Sequence, residues 1–112
     1  MYLQNFVFLD ENSSTTTSNP LVVNSKAETL KLSVISLAVG VTPDITVQGM
    51  VDRDANEWFN MGVIGLSDYQ VGSKITAEGI FAVDAQGIKE IRVVSGTAAA
   101  TVKVMGVAVS DN

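Results

Sequence analysis

The chain has 112 residues, 46% of them hydrophobic, a formal net charge of −5, and neither cysteine nor histidine. That length supports one domain with its own core and is too short for two ordinary ones. The negative charge opposes binding to a nucleic-acid backbone, the missing cysteine removes disulfides and thiolate sites, and the missing histidine removes the commonest zinc ligand and the usual nucleophile and base pairs.

Residues 4–9 form a short apolar run carrying Phe6 and Phe8, too short for a stable helix and expected as a first strand or as an arm docking on a neighbour. Residues 12–19 are polar and low in complexity, which predicts a loop, with an edge strand at the threonine run as the alternative. Asn12, Ser13 and Ser14 match a glycosylation acceptor. Residues 1–10 lack a basic region followed by a long apolar one, so no secretory signal is read, the match carries no weight, and synthesis and folding in a cytoplasm are expected.

From Leu21 a strand pattern resumes at Leu21, Val22 and Val23, and then Leu30, Leu32 and Val34 alternate with Thr29, Lys31 and Ser33. Residues 30–41 are broken by Lys31, Ser33, Ser36 and Gly40, so no membrane span is expected. After Gly40 and Pro43, Ile45, Val47 and Val51 share one strand face, while Thr46, Gln48 and Met50 share the other. A strand starting near Trp58 places Phe59, Met61 and Val63 together, which predicts a hairpin with its tip at residues 52–56.

Past Gly65 the pattern loosens around Tyr69, Val71 and Ile75, and residues 74–79 could form at most a turn. Strands return at residues 80–83, at Ile88, Ile91 and Val93, and over residues 99–109. Turns at intervals of about ten residues predict an all-β fold, a single antiparallel β-sandwich of about eight strands, jelly-roll or immunoglobulin-like in connection order. Residues 26–112 are read as the sandwich. Residues 1–25 are read as an N-terminal strand or arm with its polar loop, integral to an assembly contact.

The final run is apolar on both faces, with Val102, Val104 and Ala108 on one and Met105, Val107 and Val109 on the other. Either a loop or the N-terminal segment covers the second face, or a subunit does. Phe6, Phe8, Met105, Val107 and Val109 are the candidate interface residues.

Residues that could carry chemistry are few. Ser73 and Lys74 are neighbours and would point to opposite faces of a strand. Asp52, Asp54 and Glu57 form the closest carboxylate cluster, at an exposed hairpin tip without an aromatic-walled cleft. Asp52, Asp54 and Asn56 also fall at the alternate positions of a calcium loop, but Glu57 stands where the tight-turn glycine belongs and Val63 where the bidentate glutamate belongs. A plain turn is the preferred reading and calcium the alternative. Trp58 and Tyr69 are candidates for stacking on a sugar, against the commoner role of aromatic side chains as core or hairpin support. No catalytic residue and no cofactor are expected.

Motif order adds a further reading. Residues 45–51 lead through the polar tip to Glu57, Trp58, Phe59 and Asn60. Ile75, Thr76, Ala77 and Gly79 open a strand, Gly87, Ile88, Ile91 and Arg92 mark the next, and a valine-rich and threonine-rich stretch closes the chain. Together, over residues 43–109, they resemble a group of small β-sandwich proteins and domains from tailed-phage structural gene clusters. The resemblance implies a noncatalytic virion protein: a capsid decoration protein, a head-fibre base or a tail-associated adaptor. It would form a homo-oligomer and bind phage capsid or tail proteins. The alternative is a displayed module that binds a host surface glycan through Trp58, Tyr69 or residues 52–56.

Overall fold

Alternation of apolar and polar side chains produces eleven strands and no α-helix among the described residues of the computed structural model, which are residues 2–10, 16–96 and 101–110. The strands are β1 (Tyr2–Asp10), β2 (Thr16–Thr17), β3 (Leu21–Val22), β4 (Ala27–Ser36), β5 (Ile45–Met50), β6 (Phe59–Met61), β7 (Val63–Gly65), β8 (Val71–Gly72), β9 (Gly79–Asp84), β10 (Glu90–Ser95) and β11 (Val102–Ser110). One sheet has six strands in the order β1-β11-β4-β9-β7-β8. The other has five, in the order β2-β10-β5-β6 with β3 also on β10. Every strand pairing is antiparallel, and the two sheets pack face to face as a β-sandwich.

The strand count exceeds the expected eight for two physical reasons. The run from Phe59 to Val63 reads as one strand in sequence, but the chain leaves the five-stranded sheet after Met61 and enters the other at Val63, with Gly62 between them. In addition, β2, β3 and β8 have two residues each, too few to display a period. The hairpin of β5 and β6 forms with Val47 opposite Met61 and Gly49 opposite Phe59. Its buried face ends sooner than the alternation predicts. Met50 is buried and Val51 is exposed, because β5 stops at Met50, whose carbonyl accepts a bond from the Lys89 N–H, and the chain turns away.

Between the sheets lie Leu30, Leu32 and Val34 from β4, Val102, Val104 and Ala108 from β11, Ile45 and Val47 from β5, and Ile91 and Val93 from β10, all essentially inaccessible. Burying each such side chain contributes about 1.5–3 kcal/mol. Ile75 joins them from a loop, because its N–H and carbonyl exchange bonds with Ile45 at 2.8 and 3.0 Å, pinning residues 73–78 to the opposite sheet. On the outer side of β10, the kink before Pro20 is bridged by Ser18. Its N–H donates to the Val93 carbonyl at 2.8 Å and its hydroxyl accepts from the Val93 N–H at 2.9 Å.

The N-terminal segment is part of the sandwich. Strand β1 runs beside β11 from Tyr2 opposite Ser110 to Asp10 opposite Lys103, with a bulge between Val7 and Leu9. Gln4 reaches across to the other sheet: its Nε2 donates to the Val22 carbonyl at 3.2 Å and its Oε1 accepts from the Asn24 N–H at 2.8 Å. The inward phase of β1 carries Phe6 and Phe8, and the bulge lets Leu9 point inward as well. Phe6 and Phe8, named from the sequence as contact residues, therefore belong to the interior. Phe8 is buried, Phe6 packs on the core, and their rings meet edge to face at 4.8 Å. Residues 12–15 of the expected polar loop, with the glycosylation triplet, and residues 99 and 100 of the expected last strand lie outside the described residues. Thr16 and Thr17 form the edge strand that was the alternative for the threonine run.

Gly106, opposite Phe6 on β11, has its missing side chain aimed at Phe8: a β-carbon there would lie 2.6 Å from the Phe8 ring and 3.2 Å from Leu30. Gly106→Val should lower the unfolding free energy by about 2 kcal/mol or more through overpacking. Met105→Ser, one residue away on the outer face, should change it by at most about 0.5 kcal/mol. Urea unfolding of dilute protein followed by Trp58 fluorescence measures both, and equal losses would contradict an inward Gly106 beside an outward Met105.

Candidate functional site

Each sheet turns one face to the core and one outward, and the two outward faces differ. On the five-stranded sheet, Arg92, Gln48 and Asn60 stand side by side on β10, β5 and β6. Arg92 Nε donates to Gln48 Oε1 at 2.8 Å and Gln48 Nε2 donates to Asn60 Oδ1 at 3.0 Å. The Arg92 guanidinium also lies over the Trp58 ring, 4.1 Å from its centroid. The central row of this face is polar, and its three side chains bond to one another, while Val22 and Val94 lie outward to either side of it.

The six-stranded sheet presents the opposite character. Strand register lines up Val7, Met105, Ser33 and Ile80 across β1, β11, β4 and β9. The adjacent row runs Asn5, Val107, Lys31, Ala82, Ile64 and Val71, and the next runs Leu3, Val109, Thr29 and Asp84. Leu3, Val7, Ile35, Ile64, Val71, Ile80 and Met105 are all exposed, Met105 at 42% and Ile80 at 55%. Val107 and Val109 are half-buried by their neighbours. A groove of about 450 Å³ runs over small Ser33, between Ile80, Met105 and Val107, with Lys31 and Asn5 at its rim.

Met105, Val107 and Val109, proposed from the sequence as contact residues, thus lie together on one continuous surface. Neither a loop nor the N-terminal segment covers it among the described residues. Instead β1 lies beside β11 and widens the surface with Leu3 and Val7. These two, with Ile35, Ile64 and Ile80, escaped sequence reading because they belong to short or distant strands whose alignment only register reveals. Their signal was present as apolar residues in the outward phase of β1, β4, β7 and β9.

The remaining candidates are dispersed. Asp52 Oδ1 accepts from the Asp54 N–H at 3.0 Å, and the Asn56 N–H donates to the Asp52 carbonyl, so the first member of the calcium pattern caps its own turn. Asn56 takes a positive φ of 51°. No group of three or more acidic side chains able to hold a metal occurs among the described residues. Glu57 is exposed at the same tip. Tyr69, 76% exposed and with a φ of 57°, sits in the turn between β7 and β8 on the other sheet from Trp58, so the two aromatic rings do not form one platform.

What these faces define is a two-sheet antiparallel sandwich with one polar and one apolar exterior. No protein-family model and no curated protein sequence matches the chain. Among solved structures the fold is shared with the SPBc2 prophage-derived protein YomS, at a TM-score of 0.84 and 18% identity over 97% of this chain and 94% of that one. It is shared also with the PBSX exported protein XepA, at a TM-score of 0.86 and 22% identity over 97% of this chain. The chain spans 38% of XepA.

Two outcomes follow from the geometry. Arg92→Ala should shift Trp58 emission to longer wavelength as the ring loses its cover, and lower stability by about 1 kcal/mol through the lost cation–π contact and hydrogen bond. Adding about 5 mM calcium should move the melting temperature by less than about 1 °C, whereas a rise of several degrees would place an ion on the loop of Asp52, Asp54 and Asn56.

Proposed function

We propose that this protein is a non-enzymatic structural component of a phage particle, most specifically a capsid decoration protein, acting through the apolar exterior of its six-stranded sheet. The observation that carries the reading is the contrast between the two outer faces. A sheet open to water on one side ordinarily alternates apolar inward with polar outward. The five-stranded sheet does so along its central row, while the six-stranded sheet keeps valine, isoleucine, leucine and methionine outside on every strand, interrupted by Ser33 and Lys31. Contiguous exposed apolar area of this kind marks contact sites in soluble proteins.

Two further observations support it. The fold is shared with a prophage-derived protein of nearly the same length, in keeping with the motif resemblance over residues 43–109. Several carboxylates have structural roles: Asp44 pairs with Lys74 at 3.1 Å, Glu90 with Arg53 at 3.2 Å, and Asp52, Asp68 and Asp84 cap turns through the Asp54, Gln70 and Gln86 N–H groups. The partners in this reading are phage capsid or tail proteins and the protein itself, and the location is the virion. Glycan binding has less support, since Arg92 occupies one face of Trp58.

Quantitative mass spectrometry of purified particles tests the reading. A copy number simply related to that of the major capsid protein is the expected result for a decoration protein. A far smaller number would move it to a tail, baseplate or vertex, and absence from particles would overturn the virion assignment.

A further inference from the structure

We infer that the cavity between residues 36–43 and residues 76–78, at one end of the sandwich, is a site for an alkylammonium group, that of a lysine side chain presented by a partner protein. The inference goes beyond the virion reading, and neither its geometry nor its test depends on the apolar sheet exterior.

The walls of the cavity are fixed without a ligand. Residues 37–44 carry the chain from the end of β4 on one sheet to the start of β5 on the other. Facing them, residues 76–78 run from Ile75, pinned to Ile45 by two backbone bonds, to Gly79, the first residue of β9 and the partner of Val34 on β4. The Ser36 N–H ties the two segments together by donating to Glu78 Oε1 at 2.6 Å. A site whose walls are already held loses less ordering entropy on binding. The space between them is about 460 Å³, within the range of roughly 300–1,000 Å³ found for ligand sites.

The polar lining holds acceptors in surplus. The Ser36 hydroxyl lies 3.2 Å from the Ala38 carbonyl oxygen and 3.1 Å from the Val41 carbonyl oxygen, and its single proton can go to only one of them. Glu78 adds a carboxylate that is in no ion pair among the described residues. No lysine or arginine lines the cavity among those residues, and Lys74, close by in sequence, is paired with Asp44 at 3.1 Å. The group that answers this lining carries positive charge and several donors.

An ammonium group has three donors and no acceptor. A guanidinium fits less well, because its planar fork asks for a carboxylate with both oxygens free, and Ser36 already engages one oxygen of Glu78. Calcium also fits less well, since it takes about six to eight oxygens, commonly several of them carboxylate, and one carboxylate is present. Beside the acceptors, Leu37, Val39, Val41 and Pro43 supply apolar wall on which a methylene stem can lie. Leu37 is exposed and Val39 fully so. Apolar side chains around a charged contact keep water from it, as around the central contacts of protein interfaces. That surround is what favours a protein-borne lysine over a free amine.

The test is a nuclear magnetic resonance titration of the labelled full chain at constant ionic strength, read at the Ser36 and Val41 amide signals. The probes are a capped alanine-lysine-alanine tripeptide, the same peptide with norleucine in place of lysine, n-butylammonium chloride and potassium chloride. The expected result is saturable binding of the lysine peptide with a dissociation constant below about 20 mM, raised at least tenfold, about 1.4 kcal/mol, by Glu78→Gln. Glutamine keeps an acceptor for the Ser36 N–H, so this variant loses the charge and keeps the tie between the walls, and circular dichroism checks its fold. Glu28→Gln, which removes the same charge from the exposed far end of β4, should bind the peptide as the wild type does. The norleucine peptide should not bind, and n-butylammonium should bind more weakly than the lysine peptide. Absence of saturation, equal binding of the norleucine peptide, or equal losses in the two variants would each overturn the inference. Equal response to potassium would make this a site for inorganic cations, and n-butylammonium binding as tightly as the peptide would make it a site for free amines. Either result overturns the assignment to a partner's lysine.

Discussion

Burial of one face of each sheet against the other is the constraint on which the rest of this molecule depends. A 112-residue chain without disulfides has little beyond that interior to oppose conformational entropy. Its interior is almost wholly aliphatic, drawn in matched phases from β4, β5, β10 and β11. Departures from strict alternation serve the same end. The bulge in β1 adds Leu9 to the interior beside Phe8, and the loop carrying Ile75 is bonded to β5 so that its side chain fills the same layer.

Where alternation was long enough, the sequence was legible. The ten-residue β4 and the hairpin of β5 and β6 follow directly from period two and turn chemistry. Legibility failed where a strand is two or three residues long, as in β2, β3 and β8, and where one run serves two sheets, as across Gly62. It failed also where the period is ambiguous: Phe6 and Phe8 stood as contact candidates in a short apolar run, and only pairing with β11 fixes them inward. The apolar exterior was half visible. Met105, Val107 and Val109 declared it through the second apolar face of one strand, but Leu3, Val7 and Ile80 become part of it only through register with residues far away in sequence.

The two exteriors solve the same problem differently. On the five-stranded sheet a row of Arg92, Gln48 and Asn60 bonds along its own length and lays a guanidinium on Trp58, leaving a surface content in water. On the six-stranded sheet the corresponding rows are mostly apolar, with Leu3, Val7, Ile64, Ile80 and Met105 exposed beside Lys31 and Asp84.

The position of β11 makes the six-stranded sheet depend on it. It follows the other ten described strands in sequence, yet it lies second in that sheet, bonded to β1 on one side and β4 on the other. Without it, β4 has an open edge on that flank, β1 has no partner in its sheet, and the aliphatic side of β4 lacks the layer that Val102, Val104 and Ala108 complete. Loss of β11 would therefore remove the middle of a sheet rather than its rim and part β1 from β4.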